Sequence, residues 1–213
     1  MSSDSAFTNL THHFLIAMPG LSDELFGKSV VYMCEHTERG ALGLIINKPG
    51  DIRLADLFRK VDLQLRRDDL ATDPVYQGGP LQPERGFVLH EPMLSLPVEN
   101  AGPDGTNPDV EPADPPGVYA STMRIPGGLE MTTSKDVLEA MSSGAGPRKV
   151  LVSLGYASWG EGQLESEITE NSWLTVPADP AVIFDTPVEQ RYERAMGLLG
   201  LQPWMLSPDA GHA

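Results

Sequence analysis

Cys34 and His36 are the two residues whose types and spacing most directly suggest chemistry. They end a predicted strand, and side chains two positions apart on a strand share a face, so both are expected to point the same way. An imidazole beside a thiol can lower the thiol pKa and activate the sulfur as a nucleophile. Their Cβ atoms, however, would lie roughly 7 Å apart on one strand. A lone cysteine in an apolar strand is more often a small core residue, and that interpretation is preferred.

Two loop regions supply the residues best suited to meet an anionic ligand. Asn47 and Lys48 end an apolar strand, and Gly78-Gly79 makes a tight turn that Arg85 follows. Loops at strand ends collect binding residues, and Lys48 and Arg85 are the cations placed to meet an anion. The alternative is that both are ordinary solvated charges. Together with Cys34 and His36, these residues form the candidate ligand site.

The glycine-rich stretch 155–162 is expected to join a buried strand to a helix, where backbone N–H groups can hold a phosphate. It lacks both the Gly-Lys-Ser/Thr ending of a P-loop and the Gly-x-Gly-x-x-Gly pattern. Glu161, with Glu165 just beyond it, would repel a phosphate at the start of that helix. The glycines are therefore interpreted as turn geometry and Trp159 as a packing residue.

Motifs for metal binding and nucleophilic catalysis are absent from the sequence. There is no Cys-x-x-Cys, no His-Glu-x-x-His and no Asp-rich calcium loop. Gly-x-Ser-x-Gly is missing as well, and no His and Asp are placed to complete a triad. The sequence predicts no catalytic residues, no metal site and no cofactor.

The charge balance limits the partners of this chain. Its 213 residues include 15 Lys and Arg against 30 Asp and Glu, a formal net charge of −15. DNA and anionic membranes both attract clustered basic residues, so neither direct nucleic-acid binding nor membrane binding is expected. One cysteine, no apolar run near the roughly 20 residues of a membrane span, and an N-terminus without Lys or Arg predict a cytoplasmic location.

The pattern of apolar residues predicts a single α+β domain with a mixed sheet and helices packed against it. Residues 99–117 contain five prolines and neither Lys nor Arg, so we expect an acidic, mobile insertion there and a frayed tail after 205. Predicted strands cover 14–18, 29–35, 41–46, 75–77, 86–90, 150–154, 173–176 and 182–184. Predicted helices cover 54–58, 135–141 and 163–171, with a last one beginning at Thr186-Pro187 and closing at Gly200.

Several of these segments, taken in order, resemble the AlgH/YqgE family. Examples are Phe-Leu-Ile-Ala-Met-Pro at 14–19, Val-Tyr-Gln-Gly-Gly-Pro at 75–80 and Leu-Gly-Tyr-Ala-Ser-Trp-Gly-Glu-Gly-Gln-Leu-Glu at 154–165. Further matching blocks lie at 29–36, 43–49, 85–90, 132–138 and 184–187. The resemblance implies a bent, bifurcated sheet that forms a pseudo-barrel with helices around it. Some family members are labelled transcriptional regulators, and the family offers no established catalytic residues to carry over.

Two functional hypotheses follow. The first is a non-enzymatic cytosolic bacterial protein that acts through protein or small-ligand contacts, a regulatory role among them. The second is a small enzyme, or a cofactor- or anion-binding module, that uses the Cys34/His36 and Gly78-Gly79 region. The partner's identity and the oligomeric state stay open at this point.

Overall fold

The computed structural model describes residues 8–93, 118–202 and 205–206, which contain ten strands and five α-helices. A 3-10 turn, Val188–Gln190, precedes the last helix. The strands are β1 (His13–Ala17), β2 (Val30–Thr37), β3 (Gly40–Ile45), β4 (Pro49–Arg53), β5 (Pro74–Gln77), β6 (Leu81–His90), β7 (Thr122–Ile125), β8 (Leu129–Thr132), β9 (Val150–Gly160) and β10 (Trp173–Pro177). The helices are α1 (Leu54–Lys60), α2 (Asp136–Ser143), α3 (Gln163–Thr169), α4 (Pro180–Phe184) and α5 (Arg191–Leu198).

The strands form one curled sheet, a half-barrel with the helices packed around it, in the order β10-β1-β2-β3-β9-β6-β8-β7. Neighbours on this path are antiparallel, whereas β5 joins β9 in parallel and pairs with β4. The sheet divides along β9, whose residues 153–154 pair with β5 while residues 157–160 pair with β3. The α+β class and the mixed, bifurcated sheet are confirmed.

The apolar core has three parts because the sheet buries residues on both faces. The inner face of the half-barrel holds the largest part, with residues from nine strands, α4 and α5. A second part on the outer face lies beneath α3 and the loop before β2, and a third lies beneath α1 and α2. Alternation along β2 shows the division, since Tyr32 belongs to the inner part and Val31 to the outer one.

Residues 182–184, predicted as a strand, belong to α4, so that prediction is wrong. Asp179 precedes the helix and its side chain accepts the Ala181 N–H at 2.9 Å, while Pro180 occupies the first helical position. This cap outweighs the strand preference of a short apolar run. Thr186 does not cap the last helix, because its hydroxyl donates to the Ala181 carbonyl and the helix begins at Arg191.

The predicted insertion at 99–117 lies outside the described residues, as does the tail beyond 206, so these predictions stay predictions. Within the described residues, the sequence analysis missed three short strands: β4, β7 and β8. It also ended β9 six residues early, so most of the stretch interpreted as a strand-to-helix turn is strand. Of the helices in the described ranges, none has the length and apolar character to cross a lipid bilayer.

Candidate functional site

A bulge in β2 places Cys34 and His36 on opposite faces of the sheet. Met33 pairs with Gly43 and Glu35 with Leu42, so Cys34 is an extra residue without its own partner. Before the bulge Tyr32 faces the inner core, and after it His36 pairs with Ala41 of the outer core. The predicted shared face is therefore wrong, since one inserted residue reverses the alternation of all that follow.

Cys34 is a buried core residue on the inner face. Its side chain is 2% exposed, and its Sγ lies 3.8 Å from the Tyr32 carbonyl oxygen, to which the thiol donates. Burial raises the pKa of the Cys34 thiol well above its usual range, and the charge of Glu35 adds to the effect. The thiolate needed for nucleophilic chemistry is therefore scarce at neutral pH.

Native Cys34 is expected to react with iodoacetamide at least about 100-fold more slowly than a free thiol, because burial removes both thiolate and access. Unfolding in urea should restore the rate, which mass spectrometry follows over time. Cys34→Ala should lower the free energy of unfolding by about 1 kcal/mol. Faster alkylation of the native protein than of a model thiol would contradict the core interpretation.

His36 is buried at the edge of a cleft and holds one fixed tautomer. Its side chain is 2% exposed, its Nδ1 accepts the Leu10 N–H at 3.0 Å, and its Nε2 lies 2.9 Å from Glu165 Oε1. Since Nδ1 is an acceptor, Nε2 carries the proton and donates it to Glu165. Both ring nitrogens are thus engaged, and His36 orients the carboxylate rather than offering a base to a substrate.

The His36 cleft, of about 560 Å³, is bounded by α3, the end of the β2–β3 hairpin and the segment before β1. Three carboxylates line it, from Glu38, Glu161 and Glu165, and none of the described residues that line it is a Lys or Arg. Its other lining residues are Thr8, Leu10, His36, Gly162, Ile168, Thr169 and Thr175. The three carboxylates make the cleft negative, and Leu10 and Ile168 contribute to an apolar wall.

The position of α3 relative to this cleft is set by Glu167. Its Oε2 accepts the indole N–H groups of Trp159 and Trp173 at 2.9 and 2.8 Å, and its Oε1 accepts the Gln163 amide at 3.0 Å. Trp159 is buried, as predicted for a packing residue. The two indole bonds fasten α3 to β9 and β10, and Glu165 lies on another side of the same helix, at the cleft.

Asn47 and Lys48 form hydrogen bonds with backbone groups near the start of β2, at the opposite end of that strand from His36. The Asn47 side chain accepts the Val30 N–H at 2.7 Å and donates to the Lys28 carbonyl at 2.9 Å. The Lys48 ammonium donates to the Gly27 carbonyl at 2.7 Å. Both side chains therefore hold the loop that precedes β2.

Gly78, Gly79 and Arg85 lie together around the middle of β9. Gly78 donates its N–H to the Leu154 carbonyl at 2.8 Å, and a Cβ on Gly79 would lie 2.1 Å from the Tyr156 carbonyl carbon. Arg85 belongs to a bulge of β6 opposite Gly155. The seven candidate residues thus lie in four separate places. Cys34 lies in the inner core and His36 at its cleft. Asn47 and Lys48 hold the loop before β2, while Gly78, Gly79 and Arg85 lie beside the middle of β9.

Sequence reasoning missed Glu38 and read Glu161 and Glu165 only as obstacles to phosphate. The acidic residues on both sides of Gly162 were a visible signal. The partner of Glu165, however, is 129 positions away in the chain, and only the sheet register brings the two together. Within the described ranges, no group of three His, Cys, Asp or Glu side chains is suited to hold a metal ion.

Known proteins similar to this chain cover its whole length. A family profile described as AlgH-like (DUF179) matches residues 14–204. UPF0301 proteins from Polaromonas sp. and Paracidovorax citrulli are 72% and 71% identical, over 100% of both chains in each case. The solution structure of the AlgH protein from Pseudomonas aeruginosa is 43% identical, has a TM-score of 0.70 and covers 100% of both chains. A crystal structure of a Corynebacterium diphtheriae protein, 19% identical, shares the fold with a TM-score of 0.63, covering 89% of this chain and 87% of that one.

Proposed function

Because this chain belongs to the AlgH-like family, and the relatives above have names that state no activity, we propose a function from the site itself. The protein is a non-enzymatic binding protein, and its His36 cleft receives a cationic group of a partner protein, a lysine or arginine side chain. The observation that carries this proposal is the set of three carboxylates around a cleft that, in the described part of the chain, no lysine or arginine lines.

Electrostatics favour a cation in this cleft. The Glu165 side chain is 47% exposed while the His36 side chain bonded to its Oε1 is only 2% exposed, so Glu165 is accessible from solvent. A cation that enters the cleft is attracted by each carboxylate and offsets the repulsion between them. The net charge of −15 adds a long-range attraction for basic partners.

The chemistry of the two candidate reactive groups supports binding rather than catalysis. His36 accepts through Nδ1 and donates through Nε2, and Cys34 lies on the other face of the sheet. A nucleophile and its base need to lie within hydrogen-bond reach of each other. A regulatory role would then act through the bound partner, in the cytosol, and not through direct contact with DNA.

Replacing two of the cleft carboxylates, in Glu38→Gln/Glu161→Gln, is expected to weaken binding of a basic peptide about tenfold. The probe is an acetylated, amidated peptide of alternating arginine and leucine, titrated calorimetrically at low salt. Glu139→Gln/Glu193→Gln removes the same net charge from exposed positions on α2 and α5 and should change the affinity less than about twofold.

Equal losses in the two double variants would contradict the proposal, because they would show a general charge effect and no site. Failure of the wild-type protein to bind the peptide at low salt would also contradict the proposal. Circular dichroism of both variants checks that the substitutions leave the fold intact.

A further inference from the structure

A second groove, of about 380 Å³, opens on the inner face of the half-barrel and differs in character from the His36 cleft. Leu42, Phe87, Met123, Met131 and Tyr156 form its walls and belong to or pack against the inner core. Arg85 is the one charged residue among those that line it. We call it the Arg85 groove.

The β6 bulge determines where Arg85 lies. Leu81 pairs with Tyr156 and Gly86 with Leu154, so the four residues 82–85 stand opposite Gly155 alone. Gly155 has a φ of +74°, and a Cβ there would lie 2.5 Å from the Gly79 carbonyl oxygen. Gly79 and Gly155 thus allow the segment before β6 to approach β9 closely, and the bulge places Arg85 at the groove. Bulges of this kind commonly redirect one side chain at a functional site.

The Arg85 guanidinium is held by neutral groups. It lies 5.6 Å from the Phe87 ring centroid, and it donates to Gln82 Oε1 at 3.2 Å and to Thr133 Oγ1 at 3.3 Å. In the described ranges, no carboxylate lies within ion-pair distance of it, whereas Arg67 and Arg124 each have one and Lys149 has two. The neighbouring Glu84 lines a different groove, beneath α1 and α2.

We propose that the Arg85 groove binds a small amphipathic carboxylate, with its carboxylate on Arg85 and its apolar body against Met123, Met131 and Tyr156. A guanidinium pairs with a carboxylate through two parallel hydrogen bonds. Thioether and aromatic side chains adapt to apolar groups of varied shape. The pocket's volume lies in the range of small-molecule sites, and the mouths of β-barrels are a frequent place for them.

The charge of the site selects this ligand class over others. Inorganic phosphate has no apolar part to contact Met123, Met131 and Tyr156, and an amine would be repelled by Arg85. A cationic ligand belongs in the His36 cleft instead, on the outer face. This inference is therefore independent of the proposed function and can fail or succeed without it.

Octanoate titrated into protein with ¹³C-labelled methionine methyl groups tests the proposal by NMR. The Met123 and Met131 methyl signals should shift, while those of Met33 and Met141, buried in the two outer cores, should stay in place. Arg85→Gln should weaken octanoate binding about tenfold and leave the binding of 1-octanol unchanged. Arg148→Gln, which removes another exposed arginine, should leave both affinities unchanged.

Several results would overturn the proposal. Equal affinities for octanoate and octanol, unaltered by Arg85→Gln, would reduce the groove to an apolar surface. Shifts confined to other methionines would place any binding elsewhere. Displacement of octanoate by inorganic phosphate at a similar concentration, or binding of a free peptide C-terminus without binding of octanoate, would assign the site to a different ligand class.

Discussion

Replacing Arg191 by alanine is expected to lower the free energy of unfolding by about 3 kcal/mol. Arg191 is only 7% exposed, and it donates to the Thr186 carbonyl at 3.0 Å and to the Ile46 carbonyl. Its guanidinium also lies 4.9 Å from the Tyr76 ring centroid. The substitution leaves two carbonyl groups without their donor and a cavity between α5 and the sheet, and urea unfolding measures the loss.

Arg194→Ala, in the same helix, is the matched control for this prediction. Arg194 is exposed, so its removal should change the free energy of unfolding by less than about 0.5 kcal/mol. Similar values for the two variants would show that the buried guanidinium contributes no more than a surface charge. Our account of how α5 is attached to the sheet would then be wrong.

Gly79→Ala is expected to cost about 3 kcal/mol or more, because the added methyl group has no space. A Cβ at Gly79 would lie 2.1 Å from the Tyr156 carbonyl carbon and 2.3 Å from the Ala157 nitrogen. These are backbone atoms at the point where β9 changes its partner from β5 to β3. The methyl group would therefore separate the two branches of the sheet.

Gly86→Ala is the control, since a Cβ at Gly86 would have no heavy atom within 4 Å apart from those of its own residue and its two chain neighbours. Thermal and urea unfolding should show Gly86→Ala close to wild type and Gly79→Ala strongly destabilised. A Gly79→Ala variant as stable as Gly86→Ala would mean that Gly79 does not lie as close to the β9 backbone as described.

The sequence predicted the class of fold because its signals are local. The apolar run 41–46 predicts a central strand, and β3 lies between β2 and β9. The apolar stripe of Val188, Tyr192, Ala195 and Leu199 packs on the inner core as its helical spacing predicts. The β7–β8 hairpin was missed even though Gly127-Gly128 marks its turn, since each strand has only four residues.

The candidate site could be predicted only in part, because two strand bulges redirect the residues that matter. Nothing in the apolar run 30–34 shows that Cys34 is an inserted residue, yet that insertion turns His36 to the outer cleft. The bulge of β6 likewise carries Arg85 to the inner groove. Register depends on the partner strands, which lie far away in the sequence.

The half-barrel has two grooves of different charge, one on each face, and a strand bulge lies beside each of them. The outer His36 cleft is lined by carboxylates, and the inner Arg85 groove has an arginine as its charged group. The sheet separates them, so the two proposed ligands would not compete for one site.

Binding of a cationic group in the His36 cleft can be followed in the imidazole ¹H–¹⁵N spectrum of the protein with and without the basic peptide. His36 should show the Nε2–H tautomer with an unprotonated Nδ1, because Nδ1 accepts the Leu10 N–H. On adding peptide, the His36 signals should shift, while those of His90, buried on β6, should not. Peptide binding that leaves the His36 signals unchanged, or an Nδ1–H tautomer in the free protein, would contradict the account.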